Sequence, residues 1–361
     1  MDPFTHTFAG GLMAAGGLRK ITPLAAAALL IGANMPDVDI VVSLLGEQAS
    51  VAHRRGWTHG VLAWIVLPLA LTAGLLAWSK WFARGDAKPA FLPLLGLSLL
   101  AVLSHPLLDW LNNYGVRLLM PFDSRWFYGD TLFVLDPWIW LLFGGGYFYA
   151  SSVKRWQKGL WALFWVVSSL VVCINDFSTS ATIILWFAGL GGVLVLRWFK
   201  PSLQSASVAR GALVIGATYI MVNGLAGHYA ANQVATQLHA QQLPAAQDIM
   251  VAPVPANPLQ GNVVIAYKDY YLLGNWRWTS QPHFTLNDQP LTANMAAPEV
   301  VAASKVLTAE RFLSWSRYPY ARVSARADGG YEVQFDDARY AEEEGLIRGP
   351  KVLLDANKKP L

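Results

Sequence analysis

Residues 90–109 read AFLPLLGLSLLAVLSHPLLD, and this stretch decides the fold. It is apolar for most of its length and then meets His105 and Asp109 in its last turn. A bilayer core takes about 20 residues of helix to cross. Only helices and closed barrels satisfy their backbone groups inside lipid. The stretch therefore reads as a spanning helix with chemistry at one end. Working outward, further spans are expected near 61–82, 134–152, 157–174, 180–199 and 208–228. Two shorter apolar segments, 6–18 and 22–35, are too short to cross alone and read as half-helices or re-entrant segments lining a protein cavity.

Composition agrees with a membrane chain. The 361 residues are 54% hydrophobic and 14% charged, against roughly 25% charged in soluble domains. The sixteen tryptophans fit interfacial aromatic belts. The net charge of +4 comes from basic residues scattered through short loops, which speaks against direct nucleic-acid binding. Cys173 is the single cysteine, so no intramolecular disulfide forms. The opening Met1-Asp2-Pro3-Phe4-Thr5-His6 has neither a basic start nor a small-residue cleavage site, so no cleavable signal peptide is expected.

Beyond about residue 240 the pattern changes. Asn262–Tyr267, Tyr270–Leu273 and Tyr331–Phe335 mix β-branched and aromatic residues with polar ones, as strands do. Asp328-Gly329-Gly330 reads as a hairpin turn joining Ala321–Ala325 to the last of these. The expected fold is mainly α, a polytopic helical membrane domain with short re-entrant N-terminal helices, followed by a small β-rich soluble domain. Residues 1–230 form the first, 231–258 a helix and an Ala/Pro-rich linker, and 259–361 the second.

Basic clusters orient the chain. Lys80, Arg84 and Lys88, then Lys154, Arg155 and Lys158, then Arg197, Lys200 and Arg210 fall on one face of alternating spans, together with Arg19 and Lys20. The positive-inside rule makes that face cytoplasmic. The opposite face then collects His6, Asp37, Asp39, His59, His105, Asp109 and the C-terminal domain. Arg54 and Arg55 break the charge rule and so require a local role.

Seven donors gather in the first 109 residues: His6, Asp37, Asp39, His53, His59, His105 and Asp109. Pro36 stops the preceding helix and projects Asp37 and Asp39 from an irregular turn. His105 and Asp109, four apart, share a helical face. His53 and His59 are about 600° apart in helical rotation, so a loop at Gly56 must intervene if both are ligands. A lone membrane histidine is more often a packing residue, but an aspartate at membrane depth costs about 2.5–3.5 kcal/mol and needs a partner or a wet cavity. Imidazole with carboxylate suits zinc first, with manganese or iron as alternatives. Seven donors exceed one tetrahedral ion and point to two or three divalent ions. His228, His239 and His283 lie outside the cluster, and Asn175-Asp176 reads as a solvated loop.

The ordered set Thr5-His6, Pro36-Asp37-Val38-Asp39, His53-Arg54, Thr58-His59 and His105-Pro106-Leu107-Leu108-Asp109, with Trp126–Asp130 and Leu132–Trp138, resembles the bacterial membrane-bound metal-dependent hydrolases, also called LexA-binding, inner membrane-associated hydrolases. The resemblance covers about residues 1–150. Its motif order is more distantly similar to zinc-dependent phospholipase C. That likeness implies His6, Asp37, His59, His105 and Asp109 as ligands, although Met1 stands where that enzyme has an amino-terminal tryptophan. The expected function is a multi-pass inner-membrane hydrolase of a phosphoester, such as a phospholipid or lipid-linked phosphate, with its site on the periplasmic face. Asp39 or Asp37 would act as general base or orient an imidazole. Arg54 and Arg55 would clamp phosphate or simply meet lipid headgroups, with Arg117 and Arg125 on the same side. Asp130 and Asp136 read as supporting residues, and Asp136-Pro137 as a helix start. The alternatives are a non-catalytic, metal-stabilised scaffold or partner-binding protein, and a transporter. Ligands at span ends favour the enzyme over transport.

Overall fold

The computed structural model describes residues 1–82, 88–199, 203–341 and 347–361, the side chains of Glu47 and Gln48 aside; Arg84 and Lys200 of the basic clusters lie outside the described residues. The chain divides into two compact units. The first comprises Met1–Val38, Arg55–Leu225 and Pro253–Pro258, and the second Asp39–Arg54, Ala226–Ala252 and Leu259–Leu361.

In the first unit, α1 (Pro3–Ala15) begins at Asp2, whose carboxylate accepts from the Phe4 and Thr5 amides, with Pro3 at the first helical position. That is a strong start signal, because Asp satisfies amide donors the helix leaves orphaned and proline has none to lose. The short α2 (Ala25–Gly32) runs into a 3-10 stretch, Met35–Leu45. After α3 (Glu47–His53), a piece of the second unit, come α4 (Ala63–Phe82) and α5 (Phe91–Trp110). Pro106 removes one hydrogen bond but α5 runs through it, so His105 and Asp109 stay on one helical face. Two glycines bring the first helices together. A Cβ on Gly10 would sit 2.6 Å from the Leu29 carbonyl oxygen, and one on Gly32 2.8 Å from the Ala101 methyl. Small residues permit this closeness in membrane helices, and it draws α1 to α2 and α2 to α5.

The expected span at 134–152 differs in detail. It is a broken segment: one turn, α6 (Pro137–Ile139), a π-helical turn (Trp140–Gly144) and α7 (Gly145–Ser151). At 1.5 Å per residue this covers roughly 22 Å, short of the ~30 Å hydrocarbon core. The unit closes with α8 (Arg155–Ile174), α9 (Ser180–Phe199) and the first part of α10 (Ser205–Ala240). Among the described residues six helical stretches are long and apolar enough to cross a membrane: Ala25–Leu45, α4, α5, α8, α9 and α10. The tryptophans divide between two roles. Trp140, Trp161, Trp165 and Trp186 pack in the core with Phe8, Leu12 and Phe143, whereas Trp78, Trp81, Trp156 and Trp198 are exposed, as belt residues would be.

The second unit is β-rich. Its sheets hold β1 (Asp248–Val254), β2 (Asn257–Ala266), β3 (Tyr270–Arg277), β4 (Phe284–Leu286) and β5 (Leu291–Thr292) in one, and β6 (Pro319–Ala325), β7 (Tyr331–Asp337) and β8 (Lys351–Leu354) in the other. The expected β6–β7 hairpin is present, with Ala325 opposite Tyr331 and Gly329 at φ +83°. Residues 251–258, read as a linker, instead lie in β1, β2 and the turn between them. The polar side chains of that stretch are few, and period-2 burial gives them a place in a sheet. The end of α10 presents Ala230, Val234 and Leu238, four apart, to a core with Val263, Ile265, Trp276 and Phe284. Short helices α11 (Pro298–Ala303) and α12 (Leu307–Leu313) complete the unit, and α12 packs against α3.

Candidate metal centre

Two helices and two turns of the first unit supply the donors. α1 contributes His6, the 3-10 turn after α2 contributes Asp37, the turn before α4 contributes His59, and α5 contributes His105 and Asp109. His6, His59, His105 and Asp109 are all buried, while the Asp37 side chain is 14% exposed. The His6 and His105 rings stack with centroids 3.6 Å apart.

The donor atoms converge. His59 Nε2 lies 3.1 Å from His105 Nε2 and 3.1 Å from Asp109 Oδ2. His105 Nε2 is 3.6 Å from Asp109 Oδ2 and 3.7 Å from Asp37 Oδ1, and His6 Nε2 is 3.4 Å from Asp109 Oδ1. Ligand atoms of one tetrahedral zinc, each about 2.0–2.2 Å from it, stand about 3.3–3.6 Å apart. The spacing matches. Two overlapping groups emerge among the described residues, His6, His105 and Asp109, and Asp37, His59 and His105.

Tautomers sharpen the fit. His105 Nδ1 is 2.7 Å from the Ala33 carbonyl oxygen. A carbonyl can only accept, so Nδ1 carries the proton and Nε2 turns a lone pair toward the other donors. That second partner is what ligating histidines ordinarily have. His59 Nδ1 meets Thr58 Oγ1 at 2.9 Å, which orients that ring as well. Both ring nitrogens of His6 and Asp109 Oδ2 are buried with no hydrogen-bond partner. His59 Nε2 and His105 Nε2 stand within ion-pair distance of Asp109 Oδ2. A buried polar atom left this way costs about 1–3 kcal/mol. A shared cation is the group these residues fit.

Around the donors sits a supporting layer. Arg55 Nη2 is 3.1 Å from Asp109 Oδ1 and donates to the Met1 carbonyl, and Nη1 donates to Asn112 Oδ1 and the Gly115 carbonyl. The Met1 amine also pairs with Asp109 Oδ1. Asn112 Oδ1 further accepts from the Tyr114 and Gly115 amides. Arg55, expected as a phosphate clamp, is thus built into the wall as the counter-ion that holds Asp109. Asn112 escaped the sequence reading. Its one signal was the three-residue step from Asp109 at the helix end.

The other expected site residues stand outside the two donor groups. Asp39 and Arg54 belong to the second unit and pair with each other, Oδ1 to Nε at 3.4 Å. His53 is exposed at the end of α3, and neither donor group includes Asp39 or His53. The chain at 54–62 is irregular turn, so a loop does lie at Gly56 although His53 stands outside both donor groups. Arg117 donates its backbone amide to the Arg55 carbonyl and lays its guanidinium over Trp126. Arg125 is exposed and paired with Asp123. Asp136 caps α6 through the Trp138 and Ile139 amides and accepts from the Tyr219 hydroxyl. A cavity of about 500 Å³ lies apart from the donors. Aromatic side chains that include Phe4, Phe8, Trp140, Trp161 and Phe164 line it.

The family model of the YdjM inner membrane protein matches residues 1–181, a range that holds every donor named above. The chain belongs to the YdjM inner membrane protein family. Membership and the six apolar helices make it a multi-pass inner-membrane protein. It is also similar to the uncharacterized protein YfhP of Bacillus subtilis (strain 168), 28% identical over 169 residues, which cover 44% of this chain and 47% of that protein. The match thus spans about half the length of that relative. No solved structure matches.

Proposed function

We propose that this member of the YdjM family is a metal-dependent hydrolase of a phosphoester at the inner membrane, with a phospholipid or lipid-linked phosphate as substrate class. The observation that carries the reading is the buried, converging donor set, in which both His6 ring nitrogens and Asp109 Oδ2 lack a hydrogen-bond partner. Zinc is the first candidate ion, in two or three copies, and the positive-inside rule puts the site and the β-rich unit on the periplasmic face.

When bound, divalent cations supply a water nucleophile at neutral pH and neutralise phosphoryl charge. The chain's own residues do the rest. Arg55 and the Met1 amine hold the Asp109 carboxylate in place. The Ala33 carbonyl keeps the His105 proton on Nδ1. Asp37, the one partly exposed carboxylate of the set, marks the side from which substrate enters and serves as general base rather than as a ligand. Acyl chains have a neighbouring place to lie, because α1 carries His6 and also the Phe4 and Phe8 that line the aromatic cavity.

One observation favours a second reading, a structural metal that fastens α1, α2 and α5 together. Structural sites are closed, whereas catalytic ones keep an open position, and four of the five donors here are buried. Assay of the metal-replete protein on p-nitrophenyl phosphate, phosphatidic acid and a lipid-linked diphosphate separates the two. The hydrolase reading expects turnover that falls by at least about 100-fold in Asp37→Asn, within the range for losing a general base, while the protein remains folded. A metal-loaded wild type inert on all three substrates leaves the structural reading standing.

A further inference from the structure

A second cavity, about 420 Å³, lies between α7, α8 and α9 and has a different chemistry. Phe148, Trp165 and Leu194 line it with apolar surface, and the first two are buried. Lys158 of α8 and Arg197 of α9 line it too, with the indole of Trp198 beside them, 81% exposed. Among the described residues no acidic side chain lines it, and neither cation stands in an ion pair.

Arg197 is held rather than free to wander. Its Nε donates to Ser152 Oγ and its Nη2 to the Ser152 carbonyl, both at 3.2 Å, and its guanidinium lies over the Tyr149 ring. Part of its role is therefore to close the end of α7 by satisfying carbonyls there. Those bonds fix the plane of the guanidinium and leave Nη1 uncommitted among the described residues. Lys158 has a flexible stem, which lets an ammonium follow a bound anion. The pair is a fixed donor beside an adjustable one.

An apolar recess with two cations and no carboxylate selects an anion that carries hydrocarbon. Free phosphate would use the cations and leave the aromatic wall idle, while a zwitterionic lipid would bring its own cation toward Lys158 and Arg197. Both α8 and α9 are membrane-capable helices, so the recess faces acyl chains. Basic pockets between membrane helices bind anionic headgroups in this way, and exposed Trp198 suits the headgroup level. We infer that the α7–α8–α9 cavity is a binding site for an anionic phospholipid, its phosphate between Lys158 and Arg197 and one acyl chain along Phe148, Trp165 and Leu194. This site is separate from the metal centre and does not depend on hydrolysis.

The test uses the full chain in detergent, with native mass spectrometry counting retained dioleoyl-phosphatidylglycerol against dioleoyl-phosphatidylcholine. Wild type is expected to keep the glycerol lipid in preference. Lys158→Gln should weaken that retention about fivefold, the worth of one basic side chain near an anionic surface. Lys80→Gln, on the last turn of α4 and outside the cavity, should leave it unchanged. Ala162→Trp, which fills the recess, should remove retention of both lipids. Because Arg197 also holds Ser152, Lys158→Gln is the deciding variant and Arg197→Gln only supports it. Equal retention of the two lipids, an equal loss in Lys80→Gln, or full displacement by millimolar inorganic phosphate overturns the inference.

Discussion

Two aspartates, Asp109 and Asp337, are buried in different units, and their surroundings are opposites. The Asp337 carboxylate is completed by its own chain. Oδ2 accepts from Ser316 Oγ, the Arg317 and Tyr318 amides and Arg339 Nη2, while Oδ1 accepts from the Arg339 amide and Nε. Arg339 in turn lies over the Trp315 ring. Burial pushes the Asp337 carboxyl pKa up, yet Arg339 and the hydrogen bonds outweigh it and hold it below the usual value. Asp109 also has an arginine, but its second oxygen faces the His59 and His105 nitrogens, and neither ring nitrogen of His6 has a hydrogen-bond partner. A satisfied cluster is architecture. One that turns lone pairs toward each other needs something between them.

The contrast breaks first at Asp109. Asp109→Ala removes a donor and takes the counter-ion from Arg55, so stability should fall by about the 3–5 kcal/mol of a broken buried pair, together with loss of metal. If thermal unfolding and metal content both match wild type, Asp109 is not the hub described here. Asp337→Ala should cost a similar ~3–5 kcal/mol through the stranded Arg339, but with metal content per folded chain untouched. A fall in metal content there would erase the distinction between the clusters.

Acid sharpens the same contrast. A carboxylate with a depressed folded pKa stabilises the fold at pH above its unfolded value, about 3.9, and that contribution disappears as pH falls through the lower folded value. The β-rich unit should therefore lose part of its stability below about pH 4, and Asp337→Asn should flatten that slope in an acid titration followed by circular dichroism. An unchanged slope would count against the Arg339 pairing. Smaller still is Asn112→Ala. It takes from Arg55 one of its acceptors, along with two backbone amide bonds, and such outer-layer losses cost 10–100-fold in metal affinity, measured by competition with a zinc chelator. No change in affinity would make the Asn112–Arg55 contact incidental to the site.

Much of this is legible in the sequence, for identifiable reasons. The spans α4, α5, α8, α9 and α10 follow from hydrophobic length, and the β6–β7 hairpin from Asp328-Gly329-Gly330, because both signals are local. The segment read as 22–35 and too short to cross instead continues through its 3-10 stretch as Ala25–Leu45, long enough to span. His105 and Asp109 can be paired from their four-residue spacing on one helix. That His6 and Asp37 come beside them depends on Gly10 and Gly32 admitting close helix contact, and a glycine in an apolar run does not announce its neighbour. Arg55 looks available in the sequence because its partners, the Met1 carbonyl and Asn112, are far away along the chain. The segment Pro137–Ser151 looks like a full span because hydropathy does not register a π turn.

Elemental analysis of the protein purified without added metal or chelator, wild type beside His59→Ala, bears most directly on the idea that the first unit is organised around a cation. At least one equivalent of a divalent transition ion per wild-type chain, lost in the variant, is the expected result. A folded wild-type chain with no metal, His6 and Asp109 still buried as they are here, would contradict it.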